Sequence, residues 1–372
     1  MHITAVLSKK VLFLNTLPPL QEQLDPARFE TPAILKRLVS AHRWLAEFKG
    51  VAASMPNQGI LISTLGLQEA KDSSEIENIV TTHDELFREA AQDSASGAAA
   101  KEVARYNRAL RVGFEAVRGH GLLTGNHIVE IQSALEQNRA GYRKVPGTVL
   151  KNGAGRVIYT PPTPELLPRL MADLERFIND DELFAADPLV KMALIHHQFE
   201  SIHPFYDGNG RTGRIVNVLY LVKEGLLDTP VLYLSRAIVR SKADYYLLLQ
   251  NVREHGQWEP WVLYMLGAVE RTARDGIATI QAIKAALMDC KHRIRDGYKF
   301  YSQDLINNLF SHPYTKIDFL QRDLGVSRLT ATRYLDALAA GGLLRKLKAG
   351  RSNYYINEAL YRILTGETPP ES

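Results

Sequence analysis

The sequence has 372 residues, 45% hydrophobic and 23% charged, which is the composition of a folded globular protein and excludes long disordered segments. Its formal net charge of +4 is too small by itself to indicate nucleic-acid binding. A single cysteine, Cys290, excludes an internal disulfide, and Ser8, Lys9 and Lys10 break the apolar runs at the N-terminus, so we expect a cytoplasmic protein with no membrane partner.

The first third of the chain is predicted to be helical, because apolar residues recur there at helical spacing. Helices are expected over residues 31–48, 67–80, 101–118 and 124–136. Thr31 is a candidate cap with Pro32 at the first helical position, and Asn126 is a candidate cap of the fourth helix. The second helix is acidic, and its simplest interpretation is a solvated face. Residues 92–100 are small and polar, which predicts a loop.

A change to β-type residues follows between positions 141 and 162. The run Asn152-Gly153-Ala154-Gly155 interrupts them and predicts a hairpin. A two-stranded ribbon is not stable alone, so it must pack against the helical body. Two further helices are expected over 164–178 and 188–201.

The segment from 203 to 214 reads His-Pro-Phe-Tyr-Asp-Gly-Asn-Gly-Arg-Thr-Gly-Arg. A Gly-Asn-Gly turn that runs into a helix presents backbone N–H groups and the positive end of the helix dipole, which together form an anion site for phosphate. The helix is expected to begin near Arg211 or Thr212, and Phe205 is expected to point into the core.

Charged residues in the same segment suggest chemistry on a polyphosphate. Arg211 and Arg214 lie three residues apart and add positive charge. Asp207 beside phosphates indicates an intervening cation, for which magnesium is suited. His203 is the loop residue that can accept a proton near neutral pH. A glycine-rich helix connector is the alternative, but these features within a dozen residues disfavour it.

This segment resembles the signature of the Fic family, His-x-Phe-x-Asp/Glu-Gly-Asn-Gly-Arg-x-x-Arg, with every defining position filled. The resemblance implies a mainly α fold, in which a helical Fic core carries a β-hairpin flap. It also implies transfer of AMP from ATP to a serine, threonine or tyrosine hydroxyl of a target protein, with ATP and Mg²⁺ required and pyrophosphate released.

The resemblance assigns a role to each position of the loop. His203 corresponds to the base that deprotonates the target hydroxyl, and Asp207 to the magnesium ligand. Arg214 would hold the γ-phosphate. Gly208, Asn209 and Gly210 would cradle the α- and β-phosphates, and Arg211 would contact the triphosphate. The remaining ATP-binding positions are Thr212 and Gly213.

The acidic helix gains a second interpretation from the same resemblance. Ser73-x-x-x-Glu77-Asn78 matches the inhibitory motif Ser/Thr-x-x-x-Glu-Gly/Asn of class II Fic proteins. Ser73 and Glu77 stand at i and i+4, so both could face the active site. If Glu77 pairs with Arg214, the arginine cannot bind the γ-phosphate. Alternatively, Glu77 aligns a water molecule that removes AMP from the target.

Two further groups are carried over from the family. The predicted hairpin corresponds to the target-binding flap, with Val157, Ile158 and Tyr159 on its edge. Tyr245 and Tyr246, within an expected helix, and Arg253 correspond to residues on the adenine side of the nucleotide. Tyrosines at helical spacing are more often part of a core, which is the alternative.

The end of the chain has a different pattern. After a long helix over 261–295, helices are expected over 304–310, 316–324 and 327–340, and strands over 343–347 and 354–357. This arrangement resembles a winged-helix domain, with Leu329 and Tyr334 on the packing side of its third helix. Eight basic and three acidic residues between 313 and 357 give a net charge of +5 (8 − 3), so DNA is a candidate partner and protein docking is the alternative.

These patterns predict four consecutive regions. An N-terminal helical segment with the inhibitory helix covers 1–99, the Fic core 100–255, a helical connector 256–300 and the winged helix 301–372. We expect a homodimer, because symmetric pairing of helical proteins is common. Two rivals to adenylyl transfer stay open: transfer of another nucleotide, and a DNA-binding regulator whose Fic core only senses ATP.

Overall fold

A computed structural model describes residues 17–91, 98–151, 153–349 and 352–368. The run at 1–16, most of the loop predicted over 92–100 and the hairpin residue Asn152 lie outside these ranges. The described chain is mainly helical with small antiparallel sheets, which confirms the predicted fold class. None of its helices is long and apolar enough to cross a bilayer.

The elements follow one another with short connections. From the N-terminus to the second strand they are α1 Leu20–Gln23, α2 Pro32–Ala53, α3 Gln58–Ile76, α4 His83–Ala90, α5 Ala98–His120, α6 Gly125–Glu136, β1 Leu150–Lys151 and β2 Val157–Tyr159. They continue as α7 Leu167–Asn179, α8 Pro188–Ile202, α9 Asn209–Lys223, α10 Leu234–Arg240, α11 Lys242–His255, α12 Trp258–Gly297 and α13 Gln303–Ser311. The last are β3 Tyr314–Thr315, α14 Ile317–Leu324, α15 Arg328–Ala340, β4 Arg345–Ala349, β5 Ser352–Ile356 and α16 Glu358–Thr365.

The chain packs as two compact units, each built from separate segments. Of the described residues, the first unit contains those within 17–43, 108–230 and 240–270, and the second contains those within 44–107, 231–239 and 271–368. The loop at 203–214 and the hairpin belong to the first unit. The acidic helix and the C-terminal helices and strands belong to the second.

Helix α8 forms the centre of the first unit. It packs against α7 and α9, and every residue from Leu189 to Ile202 is buried. Two histidines are included: the ring of His196 bonds the Tyr245 hydroxyl, and that of His197 bonds the Leu249 carbonyl. Burial, helped by the charge of Arg214, lowers the pKa of His196 to about 3, so this ring is neutral.

Helix α6 also belongs to the first unit, and its start differs from the prediction. Thr124, not Asn126, is the cap: its hydroxyl accepts from the N–H of His127, and the His127 side chain accepts from the N–H of Thr124. The prediction was wrong because both residue types are good caps, and the competition is decided by which one has extended backbone angles.

The predicted hairpin is present in the first unit. β1 and β2 pair antiparallel, with Leu150 opposite Tyr159 and Lys151 opposite Val157. The register shifts between Leu150 and Lys151, so the ribbon is irregular at that point.

In the second unit, α3 differs from the helix predicted over 67–80. It begins at Gln58, where the Asn57 side chain accepts from the N–H of Gly59, and it ends at Ile76. Asn78 follows with a left-handed φ of 64°, which terminates the helix. The prediction missed the apolar first half of the helix because Pro56, Asn57 and Gly59 are residue types typical of a chain break, whereas here Asn57 caps a helix.

The C-terminal part contains the predicted three helices and hairpin, and two elements that were not predicted. β3 lengthens the hairpin to a three-stranded sheet in the order β3-β5-β4, and α16 follows it. A strand of two residues is too short to give a periodic signal.

Helix α15 places its side chains differently from the expectation at one position. Ser327 caps the helix, Leu335 and Leu338 are buried, and Tyr334 stacks on Phe300 with ring centroids 4.1 Å apart. Leu329 was expected on the packing side, but 82% of it is exposed. The prediction was wrong because, at the first turn of a short helix, apolar spacing does not fix which residues face the core.

Cys290 lies on α12 and is buried. Burial raises the pKa of its thiol to about 11, so it is protonated and unreactive at neutral pH.

Candidate active site

The loop begins where α8 ends. His203 adopts a left-handed conformation, with φ 48° and ψ 61°, and its N–H donates to the Phe199 carbonyl. Its side chain is half-buried. This conformation is unusual for a residue other than glycine, and it turns the chain out of the helix axis. A proton acceptor is thus fixed directly at a helix end.

Asn209 closes the loop. Its side-chain oxygen accepts from the N–H of Phe205 at 2.8 Å, and its Nδ2 donates to the Phe205 carbonyl at 2.9 Å. Phe205 points into the core, as predicted, and is fully buried near Phe199 and Tyr142. The family resemblance places Asn209 in the phosphate cradle, and its side chain fixes the shape of the turn through its two bonds to the main chain of Phe205.

The turn passes into α9 at Asn209, two residues before the predicted start, because Gly208 serves as a left-handed cap with φ 75°. The N–H of Thr212 already bonds the Gly208 carbonyl. The N–H groups of Asn209, Gly210 and Arg211 precede it, and no carbonyl of the helix lies ahead of them. The loop therefore has the backbone of an anion site at the positive end of a helix dipole.

A close contact with a side chain also favours glycine at position 208. A Cβ atom there would lie 2.5 Å from Oε1 of Glu136, which is too close for any real contact. Glu136 ends α6 and lies against the turn. Sequence reasoning missed it, since it stands 67 residues before the loop (203 − 136) at the end of an ordinary amphipathic helix.

Arg211 is almost fully buried, with 2% of its side chain exposed. Its Nη2 lies 2.9 Å from Oε1 of Glu136 and 3.7 Å from Oδ1 of Asp207. Arg214, one turn further along α9, is also buried. Both arginine side chains are therefore buried, and both belong to the first turns of α9.

Asp207 has the properties of a cation ligand. Its side chain is 78% exposed, and its Oδ1 accepts from the N–H of Gly208 at 2.7 Å. Nε2 of Gln132, another α6 residue that the sequence did not indicate, donates to its carbonyl at 3.3 Å. In the described ranges, no three histidine, cysteine or acidic side chains lie close enough to hold a metal ion by themselves. The loop supplies one hard oxygen donor, which suits Mg²⁺ that takes its other ligands from phosphates and water.

The flap residues lie at the edge of the ribbon. Val157 is exposed, whereas Ile158 and Tyr159 are half-buried. The Ile158 carbonyl accepts from Nε2 of Gln250 on α11 at 2.9 Å, which packs the ribbon against the helical body as predicted.

The three residues carried over to the adenine side have different environments. Tyr245 is only 2% exposed and lies among aromatic rings, including that of Trp261 at 5.7 Å. Tyr246 is exposed next to it, with ring centroids 5.1 Å apart. Arg253 lies against the ring of Tyr159, its Cζ 4.1 Å from the centroid. Tyr245 is therefore part of the core, as the alternative interpretation expects. The ring of Tyr246 is partly exposed to solvent.

Ser73 and Glu77 belong to the second unit. Ser73 is fully buried on the last turns of α3, whereas Glu77 is exposed as the C-terminal cap of the helix. The two side chains are four residues apart but have different surroundings, because the helix ends between them.

Comparison with known families gives three matches along the chain. Residues 35–115 match the family model described as Fic/DOC family N-terminal, and residues 122–221 match that of the Fic/DOC family. Residues 287–360 match the model for the C-terminal domain of the SoFic-like protein adenylyltransferase.

Individual relatives agree. The chain is 29% identical over 180 residues to protein adenylyltransferase fic-1 from Caenorhabditis briggsae, covering 46% of this chain and 32% of the relative. It is 31% identical over 132 residues to fic-1 from Caenorhabditis elegans, covering 33% of this chain and 25% of that protein. The chain thus spans about a third or less of the length of these relatives.

The fold is also that of solved structures. The crystal structure of a Fic family protein from Desulfovibrio desulfuricans G20 superposes with a TM-score of 0.58 at 22% identity, covering 88% of this chain and 96% of that one. The matched segments, the shared fold and the complete loop signature confirm the predicted resemblance to the Fic family: residues 35–115 and 122–221 carry the Fic/DOC N-terminal and Fic domains.

Proposed function

We propose that the chain is a protein adenylyltransferase that transfers AMP from ATP to a serine, threonine or tyrosine hydroxyl of a target protein. The observation that carries the proposal is the short distance along the chain between a proton acceptor and an anion site. His203 and the Gly208 turn are parts of one loop, and Asn209 locks that loop with two hydrogen bonds. The names of the relatives support the same activity.

In the proposed reaction, the His203 imidazole accepts the proton of the target hydroxyl. The hydroxyl oxygen attacks the α-phosphorus of ATP, the bond between that phosphorus and the bridging oxygen to the β-phosphate breaks, and pyrophosphate leaves with the electron pair. The N–H groups at the start of α9 and the charges of Arg211 and Arg214 stabilise the phosphate oxygens. Positioning and charge neutralisation supply most of the rate in such transfers.

Asp207 is the residue that would hold Mg²⁺, because its exposed carboxylate adjoins the proposed phosphate site. Bound there, the ion would neutralise negative charge on the phosphates. The chain contributes the carboxylate and its orientation, which the N–H of Gly208 fixes.

Two surfaces complete the proposed substrate site. We propose that the exposed edge of the ribbon at Val157 pairs with an extended segment of the target protein, as strand addition requires only main-chain groups. We propose that the exposed ring of Tyr246 contacts the adenine base.

The experiment is incubation of the purified chain with lysate and ATP labelled at its α-phosphate. Labelled protein is expected with wild type and not with His203→Ala. His255→Ala is the matched control, since His255 is an exposed histidine of the same unit, and it should label like wild type. Equal labelling by His203→Ala would contradict the proposal.

We also propose that Glu77 restrains the transfer. The support is the Ser73-x-x-x-Glu77-Asn78 motif and the exposure of the Glu77 carboxylate at a helix end. Glu77→Ala is expected to label targets more strongly than wild type, whereas Glu75→Ala, two residues earlier, should not. If wild type instead strips AMP from labelled protein and Glu77→Ala does not, Glu77 serves removal of AMP.

A second candidate function is DNA binding by the C-terminal helices and hairpin. Its support is the surface of α15, where Leu329 is the most exposed large hydrophobic side chain in the described part of the chain, between Ser327 and Thr330. Arg328 and Arg333 on this helix and Lys348 on β4 are exposed as well. An apolar side chain among basic ones suits a helix that reads base edges and contacts phosphates.

The DNA proposal is tested with the full chain and a labelled duplex. Binding should weaken with salt and be lost in the double variant Arg328→Ala, Arg333→Ala. Arg362→Ala, an exposed arginine on α16, should bind like wild type. Binding that is unaffected by the double variant would exclude α15 as the contact surface.

A further inference from the structure

Arg143 is a buried arginine whose hydrogen bonds, within the described residues, go to main-chain carbonyls. Just 2% of the residue is exposed. Its Nε donates to the carbonyl of His203 at 2.9 Å, and its Nη2 donates to the carbonyls of Pro162 and, at 3.5 Å, Ile202. Its own N–H donates to the Pro204 carbonyl at 2.9 Å. The fork geometry of a guanidinium group allows one side chain to bind several carbonyls at once.

These acceptors belong to separate segments of the first unit. Arg143 itself precedes the ribbon, and Pro162 follows it three residues after β2. Ile202 and His203 are the end of α8 and the start of the catalytic loop. One side chain therefore joins both ends of the ribbon to the residue proposed as the base.

The bond to His203 holds an unusual backbone. His203 is one of the described non-glycine residues with positive φ, at 48°. The backbone angles of His203 set the direction of its side chain, and such unusual angles persist only when neighbouring contacts hold them. Two hydrogen bonds hold the His203 backbone: Arg143 donates to the His203 carbonyl, and the His203 N–H donates to the Phe199 carbonyl.

A second arginine, Arg253 on α11, also connects the ribbon with the end of α8. Arg253 donates from Nε to the hydroxyl of Ser201 and from Nη2 to the carbonyl of Glu200, and its guanidinium lies over the ring of Tyr159. The Tyr159 hydroxyl donates to the Ser201 carbonyl at 2.9 Å. The end of β2 is thereby tied to the last turn of α8, directly before His203.

We propose that Arg143 is a positioning residue that fixes the main chain of His203 and both ends of the ribbon in one arrangement. Its consequence for rate rests on the proposed adenylyl transfer: the base and the segment that presents the hydroxyl are aligned through a common side chain. Arg143 lies outside the loop signature, and it acts through carbonyl groups without contact to ATP.

The kinetic test compares Arg143→Ala and Arg143→Lys with wild type. For Arg143→Ala, kcat for labelling should fall about a hundredfold, because small displacements of reacting groups cost that much, while the Kd for ATP should change less than about twofold. Lysine should restore little, since its single nitrogen does not reproduce the separate positions of Nε and Nη2, which bind the carbonyls of two segments. Millimolar guanidinium chloride should partly restore Arg143→Ala. Arg139→Ala, an exposed arginine four residues earlier, is the matched control and should be unchanged.

A parallel loss of ATP affinity, or a kcat that stays at the wild-type value, would overturn the assignment. Hydrogen exchange gives a readout that does not need activity. In Arg143→Lys, amides in 157–162 and in 200–206 should exchange roughly tenfold faster, and those of α13 and α14 should not change. If neither wild type nor Glu77→Ala transfers AMP, the proposed function fails, and unchanged exchange in both segments would still refute the positioning role on its own.

Discussion

Glu136 and Arg211 form an ion pair against the glycine turn of the loop at 203–214. Oε1 of Glu136 lies 2.9 Å from Nη2 of Arg211, and the side chains are 13% and 2% exposed. The same Glu136 oxygen is the atom that a Cβ at Gly208 would meet. The Glu136 carboxylate at the end of α6 therefore contacts both Arg211 and the Gly208 turn.

The first prediction concerns this pair. Glu136→Gln should reduce the free energy of unfolding by roughly 3 kcal/mol, because it removes the charge that compensates a buried guanidinium. Labelling should also slow. Chemical denaturation measures the first effect, and Glu130→Gln, an exposed position on the same helix, is the control. If Arg211→Met and Glu136→Gln lower stability additively in a double-mutant cycle, the two side chains are not coupled.

The second prediction compares two glycines to distinguish the effect of a positive φ from the effect of a close contact with Glu136. Gly208 and Gly225 both have positive φ, 75° and 66°, but a Cβ at Gly225 meets nothing within 4 Å. Gly225→Ala should cost about 1 kcal/mol of stability and leave labelling intact. Gly208→Ala should cost more and abolish labelling, because the turn must move away from Glu136. Similar activities for both variants would show that the loop tolerates this displacement.

The third prediction concerns the side chain that closes the loop. Asn209→Ala removes two hydrogen bonds to the main chain of Phe205, so unfolding should become easier by about 2 kcal/mol. ATP binding should weaken, since the amide groups of the turn lose their common orientation. Asn126→Ala, an exposed asparagine on α6, should change neither quantity. Titration of each variant with a fluorescent ATP analogue decides the matter, and wild-type affinity in Asn209→Ala would be the contrary result.

The fourth prediction is a pH dependence of stability in the second unit. Glu69 on α3 is fully buried and accepts from the N–H and hydroxyl of Ser235 and from the hydroxyl of Tyr106. Burial raises the pKa of its carboxyl to about 7, with Asp72 contributing to the rise and the bonds from Ser235 and Tyr106 opposing it. The folded chain therefore holds a proton there that the unfolded chain has already lost.

This difference in bound protons makes the folded chain more stable at low pH than at neutral pH. The stabilising contribution is complete below the ordinary carboxyl pKa of 4.5 and is lost as the pH rises to about 7, by about 3 kcal/mol at most. Glu69→Gln should remove this slope, and Glu47→Gln, an exposed glutamate of the same unit, should retain it. Thermal melts between pH 4.5 and 8 measure both, and parallel curves for Glu69→Gln and wild type would refute the assignment.

The parts of the site that sequence could predict are those carried by contiguous residues. His203, Asp207 and the Gly-Asn-Gly turn stand in one run, and a turn of that composition before a helix favours an anion site over a plain helix connector. The supporting residues could not be predicted in this way. Gln132, Glu136 and Arg143 reach the loop from elements about 60 residues or more earlier, and their own spacing contains no sign of it.

The fold shows the same distinction. Long amphipathic helices and the hairpin at Asn152 were predicted because their signals extend over many residues. β3 has two residues, and the direction of Leu329 depends on a single turn of α15, so neither is fixed by periodicity. The start of α3 was missed because a proline and a glycine near Asn57 indicate either a break or a cap, and only the side-chain bond to Gly59 distinguishes them.

The proposed mechanism requires that the loop directs attack at the α-phosphorus of ATP. ATP labelled at the α-phosphate is compared with ATP labelled at the γ-phosphate, using Glu77→Ala and a lysate. The α-label should stay on protein, the γ-label should appear in pyrophosphate, and both should be lost when His203→Ala is added. Transfer of the γ-label to protein that depends on His203, or α-labelling that does not fall in the His203→Ala variant, would refute the mechanism.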